Sequence, residues 1–94
     1  MIIGVCTVRL RLPTAVSLKD KRRVLRSLKT QIRNKFNVSV AEVDFHDVWG
    51  TAELGVACVS VDGRYAHALL LKVVKMVENA RLDYILVDYS IEIW

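Results

Sequence analysis

An α+β fold with the element order βαββαβ is what this sequence predicts, and three observations carry it. Both ends of the chain, Ile2 to Leu12 and Tyr84 to Trp94, are rich in β-branched residues and alternate like half-buried strands. Two longer segments, from Ser17 to Phe36 and from Arg64 to Asn79, repeat their apolar residues at helical spacing. Between those helices lie two further strand-like runs, and every connection is short.

The first strand places Val8, Leu10 and Leu12 on one face and Thr7, Arg9 and Arg11 on the other. Pro13 ends it. Ser17 and Asp20, three residues apart, form an acidic variant of the capping box, in which two side chains satisfy orphan amides at a helix start. In the helix that follows, at about 100° per residue, Leu18, Val24, Leu25, Leu28, Ile32 and Phe36 share an arc of roughly 120°. Lys19, Arg22, Arg23, Arg26, Lys29 and Arg33 fill a second arc of similar width beside it. Asn37 is expected to close this helix. Val38 to Phe45 then reads as the second strand, His46-Asp47 as a turn, and Ala52 to Val61 as the third strand. Asp62-Gly63 breaks the chain before the second helix, whose buried face is Ala66, Leu69, Leu70, Val73, Met76 and Val77. In the last strand Ile85, Val87, Tyr89, Ile91 and Ile93 alternate with Leu86, Asp88, Ser90 and Glu92. This is the order of the ferredoxin-like split βαβ fold: a four-stranded antiparallel sheet with both helices on one face. Right-handed crossovers put the first and third strands in the centre and the second and fourth at the edges.

The 94 residues make one domain, 1–94, with no repeat or low-complexity tract. Hydrophobic residues reach 53%, too many for a disordered chain, yet no run approaches the roughly 20 apolar residues that span a bilayer. The apolar start, Met1 to Cys6, has no basic region before it and runs into Arg9 and Arg11, so it reads as a strand and not as a secretory signal. A cytoplasmic location is the resulting expectation. Cys6 and Cys58 sit in strand patterns, where a free thiol behaves as a small buried hydrophobe, and no structural disulfide is expected.

Charge is segregated. Ser17 to Phe36 holds eight Lys or Arg and one acid, Asp20, a net of +7, whereas the rest of the chain nets −3. A cationic helix on an acidic body is a localised field that favours polyanions. The six residues of the basic arc are the candidate phosphate contacts, and almost no acid stands at i+4 to neutralise them. Lys21 and Lys35 point instead toward the apolar side, where a snorkelling stem or an ion pair with the body is expected.

Several segments together resemble the YlxP-like proteins, a bacterial family of unknown function (domain-of-unknown-function family 503). They are Ser17-Leu18-Lys19-Asp20-Lys21-Arg22, Phe36 to Val43, Asp47-Val48-Trp49, Leu54-Gly55-Val56-Ala57 and Val87 to Ile93. The resemblance spans essentially the whole chain and implies a ferredoxin-like fold. It also implies genes lying among those for translation initiation and ribosome maturation, and it supplies no catalytic residues.

The remaining candidates are weaker. The first and third strands contain no aromatic residue, which argues against base stacking on the sheet. The face opposite the helices is expected to carry Ile3, Val5, Thr7, Arg9 and Arg11 beside Tyr84, Leu86, Asp88, Glu92 and Trp94, a mixture suited to another protein chain. Ile3, Val5, Tyr84, Leu86 and Trp94 are therefore candidate contacts in a homodimer, with Arg9 and Arg11 paired to Asp88, Glu92 or Glu42. Asp44, His46, Asp47 and Trp49 invite a metal reading, but turn chemistry explains the acids and no second histidine is near. His67 is expected at the surface. The loop Leu12 to Val16 lacks the arginine and glycine of an acylphosphatase-like site, and the chain has neither a Cys-x-x-Cys nor the cysteines of an iron–sulfur protein. The expected protein is thus not an enzyme and needs no metal or cofactor. It is an RNA-binding or ribosome-associated accessory protein acting through its first helix. The alternative is a homodimeric interaction module that uses the open sheet face and binds no nucleic acid. No membrane or small-molecule partner is expected.

Overall fold

Each expected element forms in the computed structural model, which describes residues 1–94: β1 (Ile2–Arg11), α1 (Leu18–Lys35), β2 (Ser39–Asp44), β3 (Thr51–Ser60), α2 (Gly63–Asn79) and β4 (Ile85–Ile93). The sheet order is β2-β3-β1-β4, and every pairing is antiparallel. β1 and β3 pair without interruption from Ile2 opposite Ser60 to Arg11 opposite Thr51. Strict alternation along both strands sends Cys6, Val8 and Leu10, with Ala52, Leu54, Val56 and Cys58, toward the helices. There they meet Leu25, Leu28 and Ile32 of α1 and Ala66, Leu70, Val73 and Val77 of α2 in one buried core. α1 packs on β2 and α2 on β1, β4 and β3, so α1 overhangs the β2 side of the sheet.

The helix starts are set by their caps. Ser17 Oγ accepts from the Asp20 amide at 3.2 Å, and Asp20 Oδ2 accepts from the Val16 amide at 3.1 Å. Asp62 Oδ1 accepts from the Arg64 amide at 2.9 Å and caps α2 in the same way. α1 ends one residue earlier than expected: Phe36 is already extended, with its amide still donating to Ile32 O, and Asn37 takes no left-handed conformation. That conformation falls instead to Phe45, at φ 61° the one non-glycine residue of positive φ. The second strand therefore stops at Asp44.

A register shift corrects the face assignment of β4. Arg9 stands opposite Asp88 but Leu10 opposite Leu86, so Val87 is an extra residue in a β-bulge. One inserted residue exchanges the two faces for everything before it. Tyr84 and Leu86 consequently pack against the helix-side core and leave the open face, where the alternation had put them. Tyr84 goes further: its hydroxyl donates to Val77 O of α2 at 2.5 Å. A second bulge in β2, between Glu42 opposite Leu54 and Asp44 opposite Glu53, makes Val43 the extra residue. Val43 lies over Gly55, close enough that a Cβ there would come within 2.8 Å of it.

At Gly4 the strand lies close under α2, since an added Cβ would meet Leu70 Cδ1 at 2.9 Å and Cys58 Sγ at 3.0 Å. Gly4→Val should destabilise the protein by about 1–3 kcal/mol, an overpacking cost read from urea denaturation. Burial pushes the Tyr84 hydroxyl from 10.0 up to about 12 and the Cys6 thiol from 9.0 up to about 11. Both groups keep their protons in the folded state over a range where the unfolded chain gives them up. Their contribution is complete below about pH 9, falls as pH rises and is gone by about pH 12. Tyr84→Phe should therefore narrow the difference in unfolding free energy between pH 9 and pH 11, measured by denaturant titration.

Candidate nucleic-acid interface

α1 is fixed in rotation by a buried cation. Lys21 is 1% exposed, and its Nζ donates to Phe45 O and Val48 O, both at 2.6 Å, and lies 2.8 Å from Glu42 Oε2. That carboxylate oxygen is itself buried and has no partner besides this ion contact. The expected ion pair with the body is thus formed, and it reaches three places at once: the β2 strand, the left-handed turn at Phe45 and the loop before Trp49. Two hydrogen bonds to carbonyls and one ion contact to a carboxylate surround the ammonium and offset its removal from water. Lys35, at the other end, remains exposed with its Nζ 5.8 Å from the Phe36 ring centre.

With Lys21 inward, the helical repeat turns the basic arc outward, along the flank of α1 that overlooks β2. Lys19, Arg22, Arg23, Arg26 and Arg33 are exposed, and Lys29 is half-buried. Arg23 pairs with Asp20 at 2.9 Å, on the same helix. Arg33 donates to Val40 O of β2 at 2.8 Å, a neutral acceptor that leaves its charge uncompensated. The other four have no carboxylate partner and no hydrogen bond to the protein. Arg23 aside, the ridge is an unneutralised row of positive charge.

The open sheet face is less uniform than expected. Ile3, Val5 and Trp94 do lie on it: Ile3 and Trp94 exchange backbone hydrogen bonds as a cross-strand pair, and Val5 stands opposite Glu92. Polar rows cross the face. Thr7 and Ser90 share a hydrogen bond at 2.8 Å, and Arg9 contacts Glu53 at 3.1 Å while its guanidinium sits 5.1 Å from the Phe45 ring centre. Arg9 thus takes Glu53, its register partner on β3, and not the acids of β4 or Glu42, which Lys21 holds on the opposite face. In the β2–β3 loop Asp44 Oδ1 accepts from the Phe45 amide at 2.7 Å, His46 Nε2 lies 3.2 Å from Glu42 O, and no three His, Cys, Asp or Glu side chains converge. Both cysteines are buried thiols without a disulfide. No helix is long and apolar enough to cross a membrane.

Comparison with known proteins adds a family. Residues 3–91 match the family model described as "Protein of unknown function (DUF503)". The chain belongs to this family. Among curated relatives, the uncharacterized protein YlxP of Bacillus subtilis (strain 168) is 37% identical over 65 residues, covering 69% of this chain and 71% of that one. A de novo designed protein with a ferredoxin fold, solved by NMR, aligns over 94% of this chain and 86% of its own at 15% identity and a TM-score of 0.41. DUF503 membership thus accounts for the motifs along the chain, from the α1 cap to β4, and assigns no chemistry to them.

The clasp has a measurable weight. Lys21→Ala leaves a buried carboxylate oxygen and two loop carbonyls without their cation, so it should cost about 3–5 kcal/mol of stability by thermal or urea unfolding. Lys21→Met, which keeps the stem, should not restore it, because the polar atoms remain unpaired.

Proposed function

We propose that this protein is a non-catalytic accessory factor that binds RNA through the basic ridge of α1, as a ribosome-associated or RNA-associated partner. One observation carries the reading: five of the six ridge cations have no carboxylate within ion-pairing distance, on a body whose remaining charge is negative. A solvated helix face ordinarily interleaves both signs. This one does not, and the Lys21 clasp holds it in a single orientation, so binding needs no reordering of the helix and its ordering cost lies in the long side chains. Phosphates on a helical backbone recur at spacings that a row of arginines and lysines can follow, and such contacts position a protein on RNA without reading sequence. The sheet contributes no stacked bases, because β1 and β3 hold no aromatic side chain. RNA would thus be recognised by its charge and shape. The gene setting implied by the family resemblance, near translation and ribosome maturation, agrees with this reading. Homodimerisation through the open sheet face is less well supported, since Tyr84 and Leu86, two of its anchors, belong to the core side.

The test is RNA binding followed by fluorescence anisotropy, with a labelled RNA hairpin as probe across a salt series. Four phosphate contacts predict that affinity falls by about a hundredfold between 50 and 200 mM salt. Arg22→Glu with Arg26→Glu should weaken binding and flatten the salt slope by about two, one for each lost contact. Arg23→Glu should do less, because Asp20 already occupies that guanidinium. Equal affinity in the double variant would remove α1 from the mechanism.

A further inference from the structure

The two edges of the sheet are finished differently. On β2, Arg33 donates to Val40 O and His46 Nε2 lies against Glu42 O, so carbonyls two residues apart are both occupied by side chains. On β4 the pattern is open. Ile3 and Trp94 exchange both of their backbone hydrogen bonds, at 3.1 and 2.8 Å, which makes them a hydrogen-bonded antiparallel pair. Alternation then turns the N–H and C=O groups of Ile93, Ile91 and Tyr89 away from β1 and out of the sheet. Tyr89 shows this directly, because its amide donates to the side chain of Asp88 at 2.8 Å and not to β1. The same three residues carry their side chains on the helix side, where Tyr89 is 47% and Ile93 39% exposed although both are large and apolar. A long edge strand with free amides and bare apolar side chains is a template for another strand.

We infer that β4 pairs antiparallel with β4 of a second copy of this chain, about a two-fold axis at Ile91. This register sets Ile91 opposite Ile91 of the second copy and Tyr89 opposite its Ile93. All of the paired residues have outward backbone groups, and each pair exchanges two N–H···O bonds, about six across the junction. The amide of Tyr89 trades its local Asp88 contact for the carbonyl of Ile93. On the helix side, Tyr89, Ile91 and Ile93 of both copies form one apolar strip. On the other side, Asp88 falls opposite Trp94 and Ser90 opposite Glu92, so no two carboxylates are directly opposed. The pairing is isologous and closes at two.

The area agrees with a dimer only if more than the strand takes part. Seven paired residues make a band about 24 Å long and about 20 Å tall, on the order of 500 Å² for each copy. A stable interface covers about 800 Å² a side. The balance is available on α2, which packs on β4: Leu71 is exposed, and the helical repeat puts it on the flank of α2 away from α1. Trp94, 71% exposed at the end of the same strand, adds a large side chain. The basic ridge lies at the opposite edge of the sheet, over β2, and stays uncovered.

Sedimentation equilibrium on the full chain, from sub-micromolar to tens of micromolar, tests the inference. A dimer is expected. Ile93→Pro deletes an outward amide without breaking the β1 ladder, and Tyr89→Lys places a charge on the apolar strip. Each should weaken dimerisation at least about tenfold, Ile93→Pro by the loss of one backbone hydrogen bond from each copy and Tyr89→Lys by burying a charge against apolar side chains. Val59→Lys, on the open sheet face, should leave the dimer intact. Hydrogen exchange on the unmodified protein gives an independent reading, with the Ile91 and Ile93 amides protected at high concentration and released on dilution. A monomer at tens of micromolar, a dimer indifferent to both β4 variants, a dimer dissolved by Val59→Lys alone, or fast exchange of those amides at all concentrations would each overturn it.

Discussion

One ammonium group sets the geometry on which the functional surface rests. Lys21 is the single charged side chain in the interior, and its contacts join α1 to β2 and to the loop leading into β3. Removing an ammonium from water costs several kcal/mol, and only well-placed partners offset it. Here those partners are the Glu42 carboxylate and the Phe45 and Val48 carbonyls, which surround one point beside α1, so the helix can satisfy them in one rotational setting only. The apolar residues alone would tolerate some roll of α1 about its axis, because leucine and isoleucine contacts are non-directional. The lysine removes that freedom, and the direction in which the arginines face follows from it.

The acids of the molecule are arranged to the same effect. Asp20 serves the α1 cap and Arg23, Glu42 serves Lys21, and Glu53 serves Arg9. The two carboxylates that contact α1 side chains, those of Asp20 and Glu42, are thus already committed, and the net −3 of the body does not pair off the +7 helix. At physiological ionic strength the Debye length is about 8 Å, so acids farther away are largely screened from the ridge.

Much of this architecture was legible in the sequence. The six elements, their order and the central placement of β1 and β3 follow from periodicity and handedness, which are local or topological rules. The inward turn of Lys21 also follows from helical phase. What escaped was parity. Nothing in Tyr84 to Trp94 marks Val87 as an extra residue: the segment alternates without a glycine, and the bulge becomes visible only when β4 is laid against β1. Tyr84 and Leu86 were misplaced for that reason. The partner of Arg9 was missed for a similar one, because Glu53 is chosen by cross-strand register and by the demand of Lys21 on Glu42. The left-handed Phe45 had no sequence signal either, since turns of positive φ are ordinarily marked by Gly, Asn or Asp. Its conformation is over-determined by Lys21 Nζ on its carbonyl and Asp44 Oδ1 on its amide.

The Arg33 and His46 contacts on β2 have a consequence for how copies of this chain could accumulate. Strand-by-strand growth needs two receptive flanks on every subunit, one to receive and one to offer. A sheet sealed on one flank by side chains can be joined only through the other, and that flank is used up in the joining. Under the inferred β4 pairing, growth past two copies would have to use β2, where the Val40 and Glu42 carbonyls already hold side chains.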